Sequence, residues 1–383
     1  MKRANNLWEK IVSWENLMEA VRAAARGKRT RPDVARFLHE TEANVCQLQR
    51  ELQDGSYRSG GYRTFWIHDP KPRQISAAPF RDRVVHHALT SVLESVFEPR
   101  FTDHSFASRK GFGQHKALQL ARNACQRYRY VLKCDIRKYF PSIDHSILKG
   151  LIERAVKCRR TLELVGRIID GSNEQEEVVD YFPGDTLFTR FERTRGLPIG
   201  NQTSQFFANV YLNPLDHFVM RELRPALYLQ YVDDFVLFCD DKQELQLMAQ
   251  RIREFLQSLR LSPHERKFQI YRCRAGVTLL GWRILPTQMR LARANAIRMR
   301  RRVRTMVALY HAGAIGFDEV RARTNAWLGH ASFGDTWQLR QNVLGPLILN
   351  AAEHGRNARG RVEQQSTERP RLEPQQERAN EPE

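Results

Sequence analysis

Hydrophobic positions recur along most of the chain with the spacing of an α-helix. Over residues 5–56 the apolar side chains fall three or four positions apart with Arg and Lys between them, which predicts a helical N-terminal lobe. The same spacing predicts helices over residues 81–97, 204–218 and 243–259, each with one broad apolar face.

Four short segments have the composition of strands instead. Residues 62–69 and 73–78 predict two strands joined by a turn at Pro70-Lys71-Pro72. Residues 129–135 form an apolar run that ends in an acid, and residues 227–239 predict two strands around an acidic turn. Strand, helix, hairpin and helix in succession predict an α+β fold.

Composition then narrows the classes of partner. The 383 residues contain 62 Lys and Arg against 43 Asp and Glu, a formal net charge of +19, which favours a polyanionic partner. No apolar run is long enough for a spanning helix and the N-terminus lacks a signal core, so we expect no membrane association and a cytoplasmic location. The six cysteines lack zinc-site spacing, and we expect reduced thiols.

The C-terminal third differs from the rest of the chain. Seven arginines between Arg290 and Arg304 mark a separate helical lobe over residues 287–355. From residue 356 the chain is rich in Gln, Glu, Arg and Pro, and it cannot bury enough apolar surface to offset the entropy of ordering. We therefore expect residues 356–383 to be disordered.

Three carboxylates carry the candidate chemistry. Asp135 ends one predicted strand, and Asp233 and Asp234 occupy the turn between two others. Transfer of a nucleotide to a 3′-hydroxyl uses two divalent cations, and such cations prefer carboxylate oxygens. The alternative is a solvated hairpin turn with Asp135 as a helix cap, since acidic turns are common.

The segments KCDIRKYFPSID and YVDD resemble the two catalytic motifs of the reverse transcriptase family. The resemblance implies a right-hand polymerase with fingers, an antiparallel palm and a helical thumb, which copies RNA into DNA. It implies Asp135, Asp233 and Asp234 as metal ligands, with the backbone carbonyl of Ile136, for two Mg²⁺ ions or Mn²⁺ in their place. The implied divisions are residues 1–60 as an N-terminal extension of the fingers, 61–130 as fingers, 131–286 as palm with a fingers insertion at about 150–195, and 287–355 as thumb.

The same resemblance assigns residues that bind the nucleotide. Phe140 falls at the gate position that excludes a ribose 2′-hydroxyl, which implies dNTP substrates. Lys71 and Arg73 resemble residues that hold the triphosphate. Lys267 falls where the family has a proton donor for pyrophosphate, although the adjacent Arg266 is an alternative. Outside the resemblance, Phe140 is also consistent with a core aromatic residue and the two cations with a solvated turn.

Other positions resemble the surface that binds the RNA template and the RNA–cDNA duplex. These are Tyr231 of the YVDD box, Leu280 and Gly281 of a primer-grip hairpin, and Arg298, Arg301 and Arg302 of the thumb. A close-packed strand pair and a solvated basic face are the alternatives for the hairpin and the arginines.

The segment RGLPIGNQTSQFFANVYLNPLD departs from the group II intron pattern, because Ile199-Gly200 stands where Gln-Gly is usual. This form resembles the reverse transcriptases of diversity-generating retroelements, as do APFRDRVVHHAL and WLGHASFGDTWQLR. That resemblance places Ile199 and Gly200 at the nucleotide. It implies frequent errors opposite template adenines, diversification of a target gene, and a small basic accessory oligomer as partner. A helix-capping loop at Thr203 or Ser204 is an alternative explanation of the segment. Three alternatives for the whole chain are a defence-associated or other domesticated reverse transcriptase, a retron enzyme, and a non-catalytic RNA-binding scaffold.

Overall fold

The computed structural model describes residues 2–68, 71–173, 175–178, 180–345 and 347. The chain divides into two compact units, of which the first contains the residues up to Leu280 and Ile284–Thr287. The second contains Gly281–Arg283 and the residues from Gln288 on. The predicted disordered tail, 356–383, lies outside the described residues, as does Pro70 of the predicted turn.

The predicted helical N-terminal segment is confirmed and forms four helices. These are α1 (Trp8–Ile11), α2 (Trp14–Ala25), α3 (Pro32–His39) and α4 (Thr41–Asp54). The Ser13 side chain accepts a hydrogen bond from the Asn16 amide and so caps α2. The apolar faces of α2 and α3 pack against a long buried helix, α5 (Phe80–Phe97), and the Phe37 and Phe80 rings meet edge-on with centroids 5.1 Å apart.

The first two strands form a hairpin that precedes α5. β1 (Arg63–Ile67) and β2 (Arg73–Ala77) pair antiparallel with Phe65 opposite Ile75. All of β1 is exposed to solvent, whereas β2 becomes more buried toward its end. The hairpin therefore projects from the core while its second strand remains attached to it.

The central sheet is antiparallel and has the order β4-β5-β3-β6. Its strands are β3 (Tyr130–Asp135), β4 (Leu227–Tyr231), β5 (Asp234–Cys239) and β6 (Gln269–Arg272). The remaining helices of this unit are α6 (Gln114–Arg127), α7 (Tyr139–Ser142), α8 (His145–Glu153), α9 (Arg159–Asp170), α10 (Thr189–Glu192), α11 (Gln202–Phe218) and α12 (Lys242–Ser258). Helix α12 packs against β3 and β5, and α6 packs against β4. Antiparallel sheet combined with helices confirms the predicted α+β class and fits a right-hand polymerase.

A buried network of charged side chains holds the segment between α9 and α11. Arg260 Nη1 lies 2.8 Å from Asp144 Oδ2, Arg193 Nε lies 3.7 Å from the same oxygen, and Arg193 also pairs with Asp185. The Asp144, Asp185 and Arg193 side chains are at most 5% exposed. Burial opposes ionisation of Asp144, but hydrogen bonds from Ser146 and Arg260 outweigh it and lower the pKa of this carboxyl.

The second unit contains β9 (Met289–Leu291), α13 (Arg293–His311), α14 (Phe317–Ala331) and α15 (Trp337–Leu344). The strands β7 (Val277–Leu279) and β8 (Trp282–Ile284) lie where the chain passes from one unit to the other. Met299, Val303, Met306 and Val343 form a buried cluster in the second unit. None of the helices in the described ranges is long and apolar enough to cross a membrane.

The segment WLGHASFGDTWQLR has a packing role in this unit. A Cβ atom at Gly334 would lie 2.4 Å from the Trp282 ring and 2.6 Å from the Met289 carbonyl oxygen, so only glycine fits. The Asp335 amide donates to that carbonyl, and the Asp335 carboxylate accepts from the Met289 amide, both at 2.7 Å. Part of this motif is thus explained by backbone contact between the α14–α15 turn and β9.

Candidate active site

The structure brings the three predicted carboxylates to one edge of the central sheet. Asp135 and Asp234 are cross-strand partners at the ends of β3 and β5. Asp233 lies in the turn between β4 and β5, and its carbonyl oxygen accepts a hydrogen bond of 3.2 Å from the Ile136 amide. The sheet therefore brings Asp135 next to two acids that lie about a hundred residues later in the sequence.

The turn that carries Asp233 is strained. Val232 has a φ of +56°, in the left-handed region that a β-branched residue rarely adopts. Tyr231 pairs with Asp234 across the ladder, so only Val232 and Asp233 make the connection. Such a conformation costs on the order of 1–3 kcal/mol and persists where the surrounding structure determines it, which is common at functional sites.

The carboxylates repel each other in a poorly solvated environment. Burial, followed by the charges of Asp234 and Asp135, raises the pKa of Asp233 to about 6, against an opposing effect of the Arg73 guanidinium. Burial also raises the pKa of Asp234, where Lys133 opposes the shift and Asp135 adds to it. The site therefore favours the binding of positive charge.

Two lysines lie against these acids. Lys267 Nζ is 2.6 Å from Asp135 Oδ2, whereas the adjacent Arg266 is exposed to solvent. Lys133 Nζ donates to the Thr278 carbonyl at 2.8 Å and forms a longer ion pair of 3.5 Å with Asp234 Oδ1. That distance is too long for a firm hydrogen bond, and among the described residues this oxygen has no hydrogen-bond partner. Sequence reasoning missed Lys133, although it precedes Asp135 by two residues in a strand and so lies on the same face.

The donor set fits divalent cations by its chemistry. As the side chains stand in the described part of the chain, no three His, Cys, Asp or Glu groups form a metal-binding arrangement, and Lys267 occupies one oxygen of Asp135. The oxygens are nevertheless of the hard type that Mg²⁺ and Mn²⁺ prefer, and Asp234 Oδ1 is buried without a hydrogen-bond partner. Asp135, Asp233 and Asp234, with the Ile136 carbonyl, are the groups that would hold such ions.

The predicted nucleotide-binding residues differ in their burial and in their contacts. Arg73 begins β2 and is close enough to Asp233 to act on its pKa. Lys71 is exposed, and the structure does not bring it into contact with the carboxylates. Phe140 is half-buried in α7 with its ring 5.7 Å from the Tyr139 ring, and its carbonyl accepts a 2.9 Å hydrogen bond from the Leu197 amide.

The segment containing Ile199 and Gly200 is bound to the β1–β2 hairpin. The half-buried Ile199 accepts a hydrogen bond of 3.0 Å at its carbonyl from the Ser76 amide. Gly200 has a φ of +118°, and a Cβ there would lie 3.0 Å from Ile75. Asn201, which sequence reasoning missed, is 2% exposed and donates to the Ser76 carbonyl at 3.0 Å. A polar residue at the N-terminus of a predicted helix was the only sequence signal for it.

The predicted primer- and template-binding residues belong to different elements of the chain. Tyr231 is half-buried at the end of β4. Leu280 and Gly281 have φ values of +48° and +83°, as a tight hairpin turn requires, and the Leu280 carbonyl accepts a 2.8 Å hydrogen bond from Gln114. Arg298, Arg301 and Arg302 lie on α13 and line a cavity of about 730 Å³ together with Trp327.

Comparison with known proteins identifies a family model and several relatives to which this chain is similar in sequence. Residues 68–284 match the family model described as reverse transcriptase (RNA-dependent DNA polymerase). The group II intron-encoded protein LtrA of Lactococcus lactis subsp. cremoris is 27% identical over 185 residues, which are 47% of this chain and 29% of that protein. Protein YkfC of Escherichia coli (strain K12) is 24% identical over 290 residues, which are 65% of this chain and 73% of YkfC.

Among solved structures, apo telomerase from Candida tropicalis superposes with a TM-score of 0.44 at 13% identity, covering 61% of this chain and 49% of that one. The chain spans less than a third of the length of LtrA. The match to the family model nonetheless covers more than half of the 383 residues and includes all three carboxylates. The chain therefore belongs to the reverse transcriptase family.

Proposed function

We propose that this chain is an RNA-directed DNA polymerase that copies a template RNA into cDNA from dNTPs, with two Mg²⁺ ions or Mn²⁺ in their place. The observation that carries the proposal is the meeting of Asp135, Asp233 and Asp234 at one sheet edge beside Arg73 and Lys267. When bound there, the ions supply activation of the 3′-hydroxyl and neutralisation of the triphosphate.

The side chains of the chain itself have separate roles. Arg73 binds the phosphates of the incoming nucleotide, because a guanidinium forms paired hydrogen bonds with phosphate oxygens. Phe140 lies against the sugar and excludes a 2′-hydroxyl. Lys267 leaves Asp135 and donates a proton to the departing pyrophosphate, for which its position beside the carboxylates is suitable.

Primer extension tests this proposal directly. A DNA primer annealed to an RNA template should be extended with dNTPs, not with ribonucleotides, and EDTA should stop the reaction. Extension would be read as added nucleotides on a sequencing gel. A chain that binds the hybrid but never extends it would favour the alternative of a non-catalytic RNA-binding scaffold.

We further propose that the enzyme is of the diversity-generating retroelement type and acts with a small basic accessory oligomer as its partner. Ile199 supports this assignment, because a branched apolar side chain offers neither donor nor acceptor where accurate relatives have Gln. Loss of one hydrogen bond is enough to change the fidelity of copying, since a difference of about 1.4 kcal/mol between correct and incorrect transition states changes the error ratio tenfold. The expectation that errors occur mainly opposite adenine rests on the family resemblance alone.

Sequencing of cDNA copied from a defined RNA tests the subtype. We expect errors mainly opposite template adenines, and Ile199→Gln should lower them severalfold while synthesis continues. The backbone contact from Ser76 to Ile199 does not involve the side chain, so the substitution leaves it in place. Ile199→Val is the matched control and should keep the error spectrum. Errors spread evenly over four bases would contradict the subtype and favour a defence-associated or other domesticated enzyme.

A further inference from the structure

The Lys133 side chain connects the central sheet to the strand β7. Lys133 lies on β3 opposite Val236 of β5 and Gln269 of β6, and its side chain is 15% exposed. Its ammonium group is 2.8 Å from the Thr278 carbonyl oxygen and 3.5 Å from Asp234 Oδ1. Since only the shorter of these distances is that of a firm hydrogen bond, the ammonium group is held mainly by β7 and not by the carboxylate.

The second lysine at the carboxylates is bound differently. Lys267 donates to Asp135 Oδ2 at 2.6 Å, and its side chain is 36% exposed. A lysine that is partly exposed and bound to a carboxylate can exchange this partner for water or for a phosphate. Lys133 is less exposed and donates to the backbone, so its contacts suit a fixed position better than the transfer of a proton.

The strand that Lys133 contacts lies at the edge of its sheet. The order β7-β8-β9 leaves one side of β7 without a neighbouring strand among the described residues. Carbonyl groups on such an edge need donors from other parts of the chain. Side chains supply them at two positions, because Lys133 donates to the Thr278 carbonyl and Gln114 donates to the Leu280 carbonyl, both at 2.8 Å.

The two donors belong to different elements of the first compact unit. Lys133 is in the middle of β3, and Gln114 is the first residue of α6, which packs against β4. Both of their carbonyl partners lie in the same unit. Two carbonyl groups two residues apart are thus attached to two separate supports. Residues 278–280 cannot shift without breaking one of these hydrogen bonds, and the φ of +48° at Leu280 is held in place.

We propose that Lys133 is a positioning residue that fixes the turn at Leu280 relative to Asp234, with Gln114 as the second support of this turn. The distance between the end of a bound primer and the carboxylates then depends on Lys133. The inference rests on the proposed function and on the primer-binding role that the family resemblance gives to this turn. A lysine that served only as a counter-charge for Asp234 would have no need of the shorter contact with Thr278.

The test uses an RNA template annealed to a DNA primer whose terminal base is 2-aminopurine. The fluorescence lifetimes of the bound hybrid, recorded without Mg²⁺ or dNTPs, report the surroundings of that base. Single-turnover extension with Mg²⁺ and dNTPs then gives the rate at saturating enzyme.

Lys133→Met keeps the length of the side chain and removes the ammonium group. We expect the fluorescence lifetimes to return toward those of the free hybrid, because the terminal base is no longer held in one place. The extension rate should fall on the order of tenfold, while the affinity for the hybrid changes by less than about twofold, since small misplacement of reacting groups lowers the rate of a step more than it lowers binding. Lys133→Arg retains a cationic donor and should recover part of the rate.

Gln114→Leu tests the same turn from its other support and leaves the carboxylates and Lys133 intact. It should change the lifetimes in the same direction as Lys133→Met and lower the extension rate about threefold. The matched control is Gln126→Leu, the same substitution in the same helix. It removes a hydrogen bond of 2.8 Å to the Pro286 carbonyl, which lies beyond β8, and it should leave the lifetimes and the rate unchanged.

Parental lifetimes in both Lys133→Met and Gln114→Leu would overturn the proposal, and so would an equal change in Gln126→Leu. A lost rate that excess Mg²⁺ restores in Lys133→Met would also overturn it, because Lys133 would then act on the ion site alone. Thermal melting checks each variant, and Gln114→Leu carries the test if Lys133→Met melts early. Failure of the proposed function is distinguishable, because the parent chain would then extend no primer, whereas the lifetimes require no chemistry.

Discussion

Replacing Asp234 with Asn is expected to reduce dNTP incorporation by at least about a thousandfold while RNA binding persists. The loss follows from the removal of one anionic oxygen from the three carboxylates that we propose as metal ligands. A thousandfold change corresponds to about 4 kcal/mol of transition-state stabilisation, which is within the range that a metal ligand supplies. Primer extension under single-turnover conditions measures it.

The fold is expected to survive this substitution. Asp234 is a half-buried carboxylate whose ionisation is opposed by burial and by Asp135 and favoured by Lys133. A neutral amide of the same size should therefore not lower the melting temperature. Asp241→Asn is the matched control, because Asp241 follows the other end of β5 and caps α12 by accepting from the Gln243 amide, a role that Asn also fills. Normal cDNA synthesis by the Asp234 variant would remove this carboxylate from the proposed mechanism.

Substituting Asp144 with Ala is expected to destabilise the first unit by about 3–5 kcal/mol, the usual cost of removing one partner from a buried charge network. Arg193, whose side chain is 5% exposed, would retain Asp185 as its carboxylate partner, and Arg260 would lose its 2.8 Å contact. The cap that Asp144 gives to the Ser146 and Ile147 amides would also disappear, at about 1 kcal/mol. Urea unfolding of this variant, of a control variant and of the parent chain measures the difference in the free energy of unfolding.

Glu163→Ala is the control for this experiment. Glu163 pairs with Arg159 on an exposed helical face, where the arginine side chain is 91% exposed, and such pairs contribute at most about 0.5 kcal/mol. Equal midpoints for the Asp144 and Glu163 variants would show that the network contributes no more than a surface pair. The expected order reflects desolvation, because Arg193 cannot recover hydration when its partner is removed.

Regular patterns along the chain predicted the elements whose apolar faces are made of large side chains. Helix α5 begins one residue before its predicted start, and the strands on either side of the acidic turn agree with β4 and β5. Helix α6 escaped individual prediction because much of its buried face is alanine, at Ala117, Ala121 and Ala124, which gives a weak hydrophobic signal. Helices α9 and α10 lie in the segment that was predicted only as an insertion.

The candidate site was predictable where it depends on strand ends and not where it depends on pairing across the chain. Asp135, Asp233 and Asp234 could be located because each follows or precedes an apolar strand. The contacts of Lys133 and Asn201 could not be predicted from local pattern, since their partners are Thr278 and Ser76. The association of Arg193 with Asp144 is likewise a product of tertiary structure, because exposed and buried charges have the same appearance in a sequence.

The strand order of the central sheet also determines when this site forms while the protein itself is being made on the ribosome. β3 lies between β5 and β6, so its first partner is the strand that ends at Cys239, and Asp135 meets a lysine 132 residues later in the chain. Pairings of such separation form slowly, because loop-closure entropy opposes them until both segments are available. A nascent chain that has emerged from the ribosome only as far as α11 therefore has Asp135 without the turn that supplies the other two acids. The group of three carboxylates is completed late, after most of the first unit has been made.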